Sequence, residues 1–164
     1  MAELTNLESK LGEVLGLAMA AQGATDKVQK LDDVDEQLQQ RLQQMHAEAK
    51  ETEERATAVA SGFEGKKTAI LDEARDVKQK ATEMMQDYLD RASDGLDGFE
   101  FLTMAEAGEV GHWEILQTLN ERARNPELAE LCSWALPIQK RHFETAREGS
   151  LKLAAEEDPN ETSG

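Results

Sequence analysis

Residues 109–114 read Glu-Val-Gly-His-Trp-Glu, and residues 139–144 read Gln-Lys-Arg-His-Phe-Glu. The shared pattern is Glu or Gln, two residues, His, an aromatic and Glu. In a helix, residues three apart lie one above the other, so Glu109 with His112, and Gln139 with His142, can address one ion from a single face. Leu102, Ala105, Leu116 and Leu119 extend the face of Glu109 and His112, and Ala135, Ile138 and Ala146 extend that of Gln139 and His142. Both pairs are therefore expected to point inward. An unpartnered buried carboxylate costs several kcal/mol, so an inward Glu109 needs a metal ion, a cation or a donor such as His112 beside it. Gly108 and Gly111 flank Glu109, each at roughly 1 kcal/mol against alanine in a helix, which implies a close neighbouring backbone or space kept open.

Outward from these motifs the periodicity predicts five helices. The first runs from Leu4 to Lys30, with Leu11, Leu15, Ala18, Gln22, Thr25 and Val28 inward; the second runs from Asp33 to Ser61, with Leu38, Leu42, Met45, Ala49, Thr52, Ala56 and Val59 inward. The third, Lys66 to Ala92, carries Ile70, Ala74, Val77, Ala81, Met84 and Tyr88 at near-heptad spacing and no inward carboxylate or histidine. The fourth spans Phe99 to Ala123. The fifth opens on Asn125 as N-cap with Pro126 at its first position, and Pro137 is expected to kink it. Residues 1–156 then make one all-α domain, a four-helix bundle in which helices one, two, four and five surround the core and helix three is the crossover. The tail 157–164 has nothing to bury and is expected to be disordered.

Composition agrees with helix: aromatics are 4% of 164 residues, there are three prolines, and strand-forming residues are scarce. A net charge of −16 repels phosphate backbones and anionic lipid, which argues against nucleic-acid and membrane partners. Cys132 is the only cysteine, so no intrachain disulfide or thiolate zinc cluster is available, and a small core residue is expected there. The apolar stretch from Leu15 to Ala21 is too short to span a bilayer and lacks a basic segment before it, so the chain reads as cytoplasmic. No nucleophile–base pair, phosphate-binding loop or dinucleotide fingerprint is present.

Glu48 and Glu51 on helix two and Gln22 on helix one lie at the depth where antiparallel neighbours would meet the histidine motifs, with Glu13 as an off-stripe alternative on helix one. His46 lies off its stripe and is expected at the surface. This arrangement resembles the ferritin-like superfamily of rubrerythrins and related carboxylate-bridged dimetal proteins, which use one carboxylate from each of two helices and an E-x-x-H from each of the other two. AILDEARDV at 69–77 followed by EVGHWEI at 109–115 is most similar to its small bacterial stress-associated branch. The resemblance implies one or two iron or manganese ions held by Glu48, Glu51, Glu109, His112 and His142. Gln22 and Gln139 would then be weak ligands or would orient water. It also implies a homodimer and, if the site is catalytic, redox chemistry on oxygen or peroxide. Gln22 and Gln139 stand where carboxylates belong, which favours a single or labile ion and leaves a rival: a non-catalytic interaction or storage-accessory protein with an empty site. Taken singly, an inward histidine is more often a hydrogen-bonded core residue than a ligand, and Glu48 and Glu51 belong to a run that is mostly a solvated face.

Overall fold

The computed structural model describes residues 2–91 and 93–162, and its elements are five helices: α1 (Asn6–Gln29), α2 (Glu36–Ala60), α3 (Lys67–Tyr88), α4 (Gly95–Ala123) and α5 (Pro126–Glu156). Among the described residues there is no strand, and no helix is long and apolar enough to cross a membrane. The helix ends follow local chemistry. Thr5 and Glu8 close a capping box on α1, Asp35 caps α2, and Asn125 caps α5 ahead of Pro126 as expected. α4 begins four residues earlier than its periodicity suggested, because Asp94 and Asp97 form a second capping box and Asp33 accepts the Gly95 amide at 2.7 Å. Arg124, at φ 57°, ends α4 in the left-handed conformation, and Asn120 clasps the short turn through paired bonds with the Asn125 backbone. α5 continues through Pro137, which is exposed, so water can reach the carbonyl that the proline cannot serve.

α1 packs against α2, α3 and α4, and α5 packs against α4 and α2. Polar pairs fix antiparallel register between α2 and α5: Asp35 with Lys152 at 2.6 Å, Arg41 with Glu148 at 3.1 Å, Glu48 with Arg141, and the Arg55 guanidinium 4.2 Å from the Trp134 ring. Exposed pairs of this kind are each worth at most about 1 kcal/mol, so they set alignment more than stability. α1, α2, α5 and α4 thus form a ring of alternating direction, with α3 outside it.

The core has two apolar clusters. One gathers Leu11, Leu15, Ile70, Trp113, Leu116 and Leu131, and the other gathers Val28, Leu38, Leu42, Phe99, Leu102 and Leu153. On α4 the residues between them are Glu106 and Glu109, and on α5 they are Gln139 and His142, all buried. A polar layer therefore divides the bundle. Cys132 is buried as expected, and burial pushes its thiol up to about 11.

α3 departs from its expected stripe. Ile70 and Ala74 are buried, where Gly12 and Gly16 let α1 approach: a Cβ on Gly12 would meet the Ile70 carbonyl at 3.0 Å, and one on Gly16 would strike the Ala74 carbonyl. Val77 and Ala81 are half-buried, while Met84 and Tyr88 are exposed and Met85 and Leu89 turn inward instead. The far half of α3 has only one flank to cover, so a full heptad stripe has nowhere to go.

Candidate functional site

The polar layer is built by hydrogen bonds between helices. Gln139 on α5 donates its amide to Glu106 on α4. His142, one turn further along α5, meets the Glu48 carboxylate of α2 at 3.0 Å through Nε2, and its Nδ1 lies 3.9 Å from Glu106. Arg141 then grips Glu48 from outside with two bonds, 2.8 and 2.7 Å, the forked geometry that suits guanidinium and carboxylate. Glu109 sits one turn from Glu106, on the same buried face of α4.

Burial governs the protonation of this layer. Desolvation pushes the Glu106 carboxyl up to about 8 against the Gln139 bond that favours ionisation. Desolvation, then the neighbouring Glu106 charge, pushes Glu109 well above the carboxylate range. His142 is lowered, first by burial, despite Glu48 beside it. Burial would also raise Glu48, but the bonds from Arg141 and His142 outweigh it and leave Glu48 below its ordinary value. At neutral pH the layer thus holds protonated carboxyls on α4 and a paired carboxylate on α2.

Of the residues expected to share a site, Glu48, Glu109, Gln139 and His142 do come together. Glu51 is exposed and pairs with Arg55 at 3.5 Å. Gln22 bonds Glu53 and the Ala18 carbonyl, both at 3.3 Å. His112 does not point inward: its side chain is 38% exposed and its Nδ1 lies 3.2 Å from both Lys10 and Glu13 of α1. His46, expected at the surface, is half-buried on the Gln22 carbonyl at 3.0 Å. Glu106 was missed. The buried positions of α4 run Leu102, Glu106, Glu109, Trp113, Leu116 and Asn120, one step out of phase with the stripe through Ala105, His112 and Leu119. Both phases share Leu102, Glu109 and Leu116, and the bulk of Trp113 was the signal that decides between them.

Beside the layer, α1, α3 and α4 enclose a groove of about 330 Å³. Its walls are apolar, from Leu17, Ala21 and Ala24 through Met84 and Met85 to Phe101 and Met104, and Glu106, Glu109 and His112 also line it. Gly108 lines it too, and a Cβ there or at Gly111 would meet nothing within 4 Å, so these glycines adjoin open space and not a close backbone.

The grouped side chains do not fit a dimetal centre as they stand. The Gln139 amide presents its nitrogen to Glu106, His142 Nε2 is taken by Glu48, Glu48 is gripped by Arg141, and α1 contributes Ala21 to the groove beside Glu106 and Glu109. Among the described residues no three His, Cys, Asp or Glu side chains converge as a metal site, and no buried side-chain nitrogen or oxygen lacks a partner. Comparison with protein-family models, curated proteins and solved structures gives no match in any of the three.

Proposed function

We propose that this chain is a ferritin-like bundle that works as a non-catalytic binding protein in the cytoplasm, its ancestral metal position closed by hydrogen bonds. The connectivity supports the fold: α1–α2 and α4–α5 are antiparallel hairpins, and α3 returns the chain along the bundle, a one-crossover arrangement like that of ferritin-like proteins. The observation that carries the function is the internal pairing of the layer, in which Arg141 supplies to Glu48 the positive charge that a metal would. The pairings of Glu51 with Arg55, Gln22 with Glu53 and His112 with Glu13 engage three further ligands elsewhere.

One observation favours a second reading. Two buried carboxyls, Glu106 and Glu109, lie within reach of an imidazole and of a third carboxylate from another helix, and iron or manganese entering there would displace their protons. A stress-associated redox activity would follow only in that case. Elemental analysis after anaerobic reconstitution with Fe(II) and Mn(II), followed by desalting, separates the two. The binding-protein reading predicts no stoichiometric metal; one or two ions per chain, lost in His142→Ala and Glu106→Gln, would replace it with the metal reading.

A further inference from the structure

The groove between α1, α3 and α4 joins two chemistries, apolar walls and a pair of buried carboxyls. Its walls are apolar, with Met84 65% and Met104 54% exposed, although both side chains would be sheltered by an occupant. Methionine is unbranched and polarisable and adapts to ligands of varied shape. Its floor carries Glu106 and Glu109. From Phe101 to His112 the groove follows α4 for about 16 Å at the helical rise per residue. Its volume of about 330 Å³ falls at the small end of organic-ligand sites.

Building on the binding-protein reading above, we propose that this groove takes a hydrophobic primary ammonium compound, with its alkyl or aryl body along Leu17, Ala24, Met84, Phe101 and Met104 and its cationic head on Glu106 and Glu109. Charge complementarity selects the head group. Among the described residues no lysine or arginine pairs with either carboxyl: Arg141 is committed to Glu48, and Lys10, at the His112 end, pairs with Glu13. Two imidazoles adjoin the pair: His142, 3.9 Å from Glu106 and bound to Glu48, and His112 at the groove's end, beside Lys10 and Glu13. α3 lines the groove with Ala81, Thr82, Met84 and Met85 and no charged group. An anionic ligand would gain no cationic partner there and is repelled by a chain of net charge −16, whereas a cation is drawn by that charge and can ion-pair with either carboxyl once it gives up its proton.

The proposal implies a proton count. An ammonium entering beside a protonated carboxyl forms an ion pair only if that carboxyl gives its proton to solvent, so each ion pair formed releases one proton. Affinity should therefore rise with pH as Glu106 and Glu109 become easier to ionise, while the ligand remains cationic. The groups that face this pair are Gln139, His142 and Glu48 from α5 and α2, and His112, with Lys10 and Glu13, at the groove's end.

The test is calorimetric titration of the metal-free full chain with n-octylammonium, 1-octanol and octanoate. Octylammonium should bind at least about tenfold more tightly than octanol, octanoate should be weakest, and the octylammonium heat should vary with buffer in the sense of proton release. In Glu106→Gln/Glu109→Gln the octylammonium affinity should fall to that of octanol, with octanol unchanged. Gly108→Leu, whose side chain enters open space beside the groove, should weaken all binding while helical circular dichroism is retained. No saturable octylammonium binding, octanoate binding as well as the amine, or an ammonium preference that survives the double carboxamide variant would each overturn the proposal. Metal analysis of the same sample reports separately on the binding-protein reading, so failure of one is not mistaken for failure of the other.

Discussion

The hexapeptides at 109–114 and 139–144 share one pattern and meet opposite fates. In the second, Gln139 and His142 are buried together and reach two other helices. In the first, Glu109 is buried but His112 turns to the Lys10–Glu13 pair at the edge. The difference lies in the residue after each histidine. Trp113 is 1% exposed and claims the inward direction on α4, whereas Phe143 is only half-buried and leaves that direction to His142. A spacing of three allows two residues to share a face, but the bulkiest apolar neighbour decides where the centre of the face falls.

The largest effect that probes this comparison belongs to the aromatics. Trp113→Ala should lower unfolding stability by about 3–5 kcal/mol, against less than half of that for Phe143→Ala, measured by urea denaturation. Similar losses would show that Trp113 does not set the phase of α4. Next come the histidines. His142→Ala leaves Glu48 without its inner partner and should cost about 2 kcal/mol, while His112→Ala should stay within about 0.5 kcal/mol.

The pH profile gives a third separation. Glu106 is raised in the folded state from 4.5 to about 8, so the folded chain binds more protons than the unfolded one between these values. Stability from this group is therefore fully present below about 4.5 and is lost as pH rises through about 8. Glu106→Gln should flatten that decline. His142 and Glu48 act in the opposite sense on the acid side: both are lowered in the fold, so stability falls as pH drops and the unfolded chain takes up protons first. A wild-type profile that rises steadily from pH 5 to 8 would contradict the protonated layer.

The smallest effect concerns glycine. Gly108→Ala should stabilise by up to about 1 kcal/mol, since its Cβ meets nothing, whereas Gly16→Ala should destabilise because its Cβ strikes the Ala74 carbonyl. Equal effects would remove the distinction between the open groove and the tight α1–α3 contact.

These contrasts explain what the sequence made legible. The α2 stripe was readable because Leu38, Leu42, Met45, Ala49, Thr52 and Ala56 face one core and admit a single phase. The Asn125–Pro126 start of α5 was readable because capping is local chemistry. The phase of α4 was ambiguous, and choosing Ala105 and His112 over Glu106 and Trp113 hid one of the two central carboxyls. The outer half of α3 failed for a tertiary reason: periodicity records an apolar face but not how far neighbours cover it, and Met84 and Tyr88 stay exposed although the Tyr88 ring lies 5.6 Å from that of Phe101. The grip of Arg141 on Glu48 depends on the register between α2 and α5, which no local pattern contains.

The central claim is that the middle of this bundle is a self-paired layer with protonated carboxyls, and the most direct test is a carbon-detected NMR titration of the Glu106 carboxyl in metal-free protein, assigned with Glu106→Gln. The account predicts a midpoint near 8, with Glu109 higher still than an ordinary carboxyl. A Glu106 midpoint near the ordinary 4.5 would contradict it, because the carboxylate would then be ionised at neutral pH and available to a cation without giving up a proton.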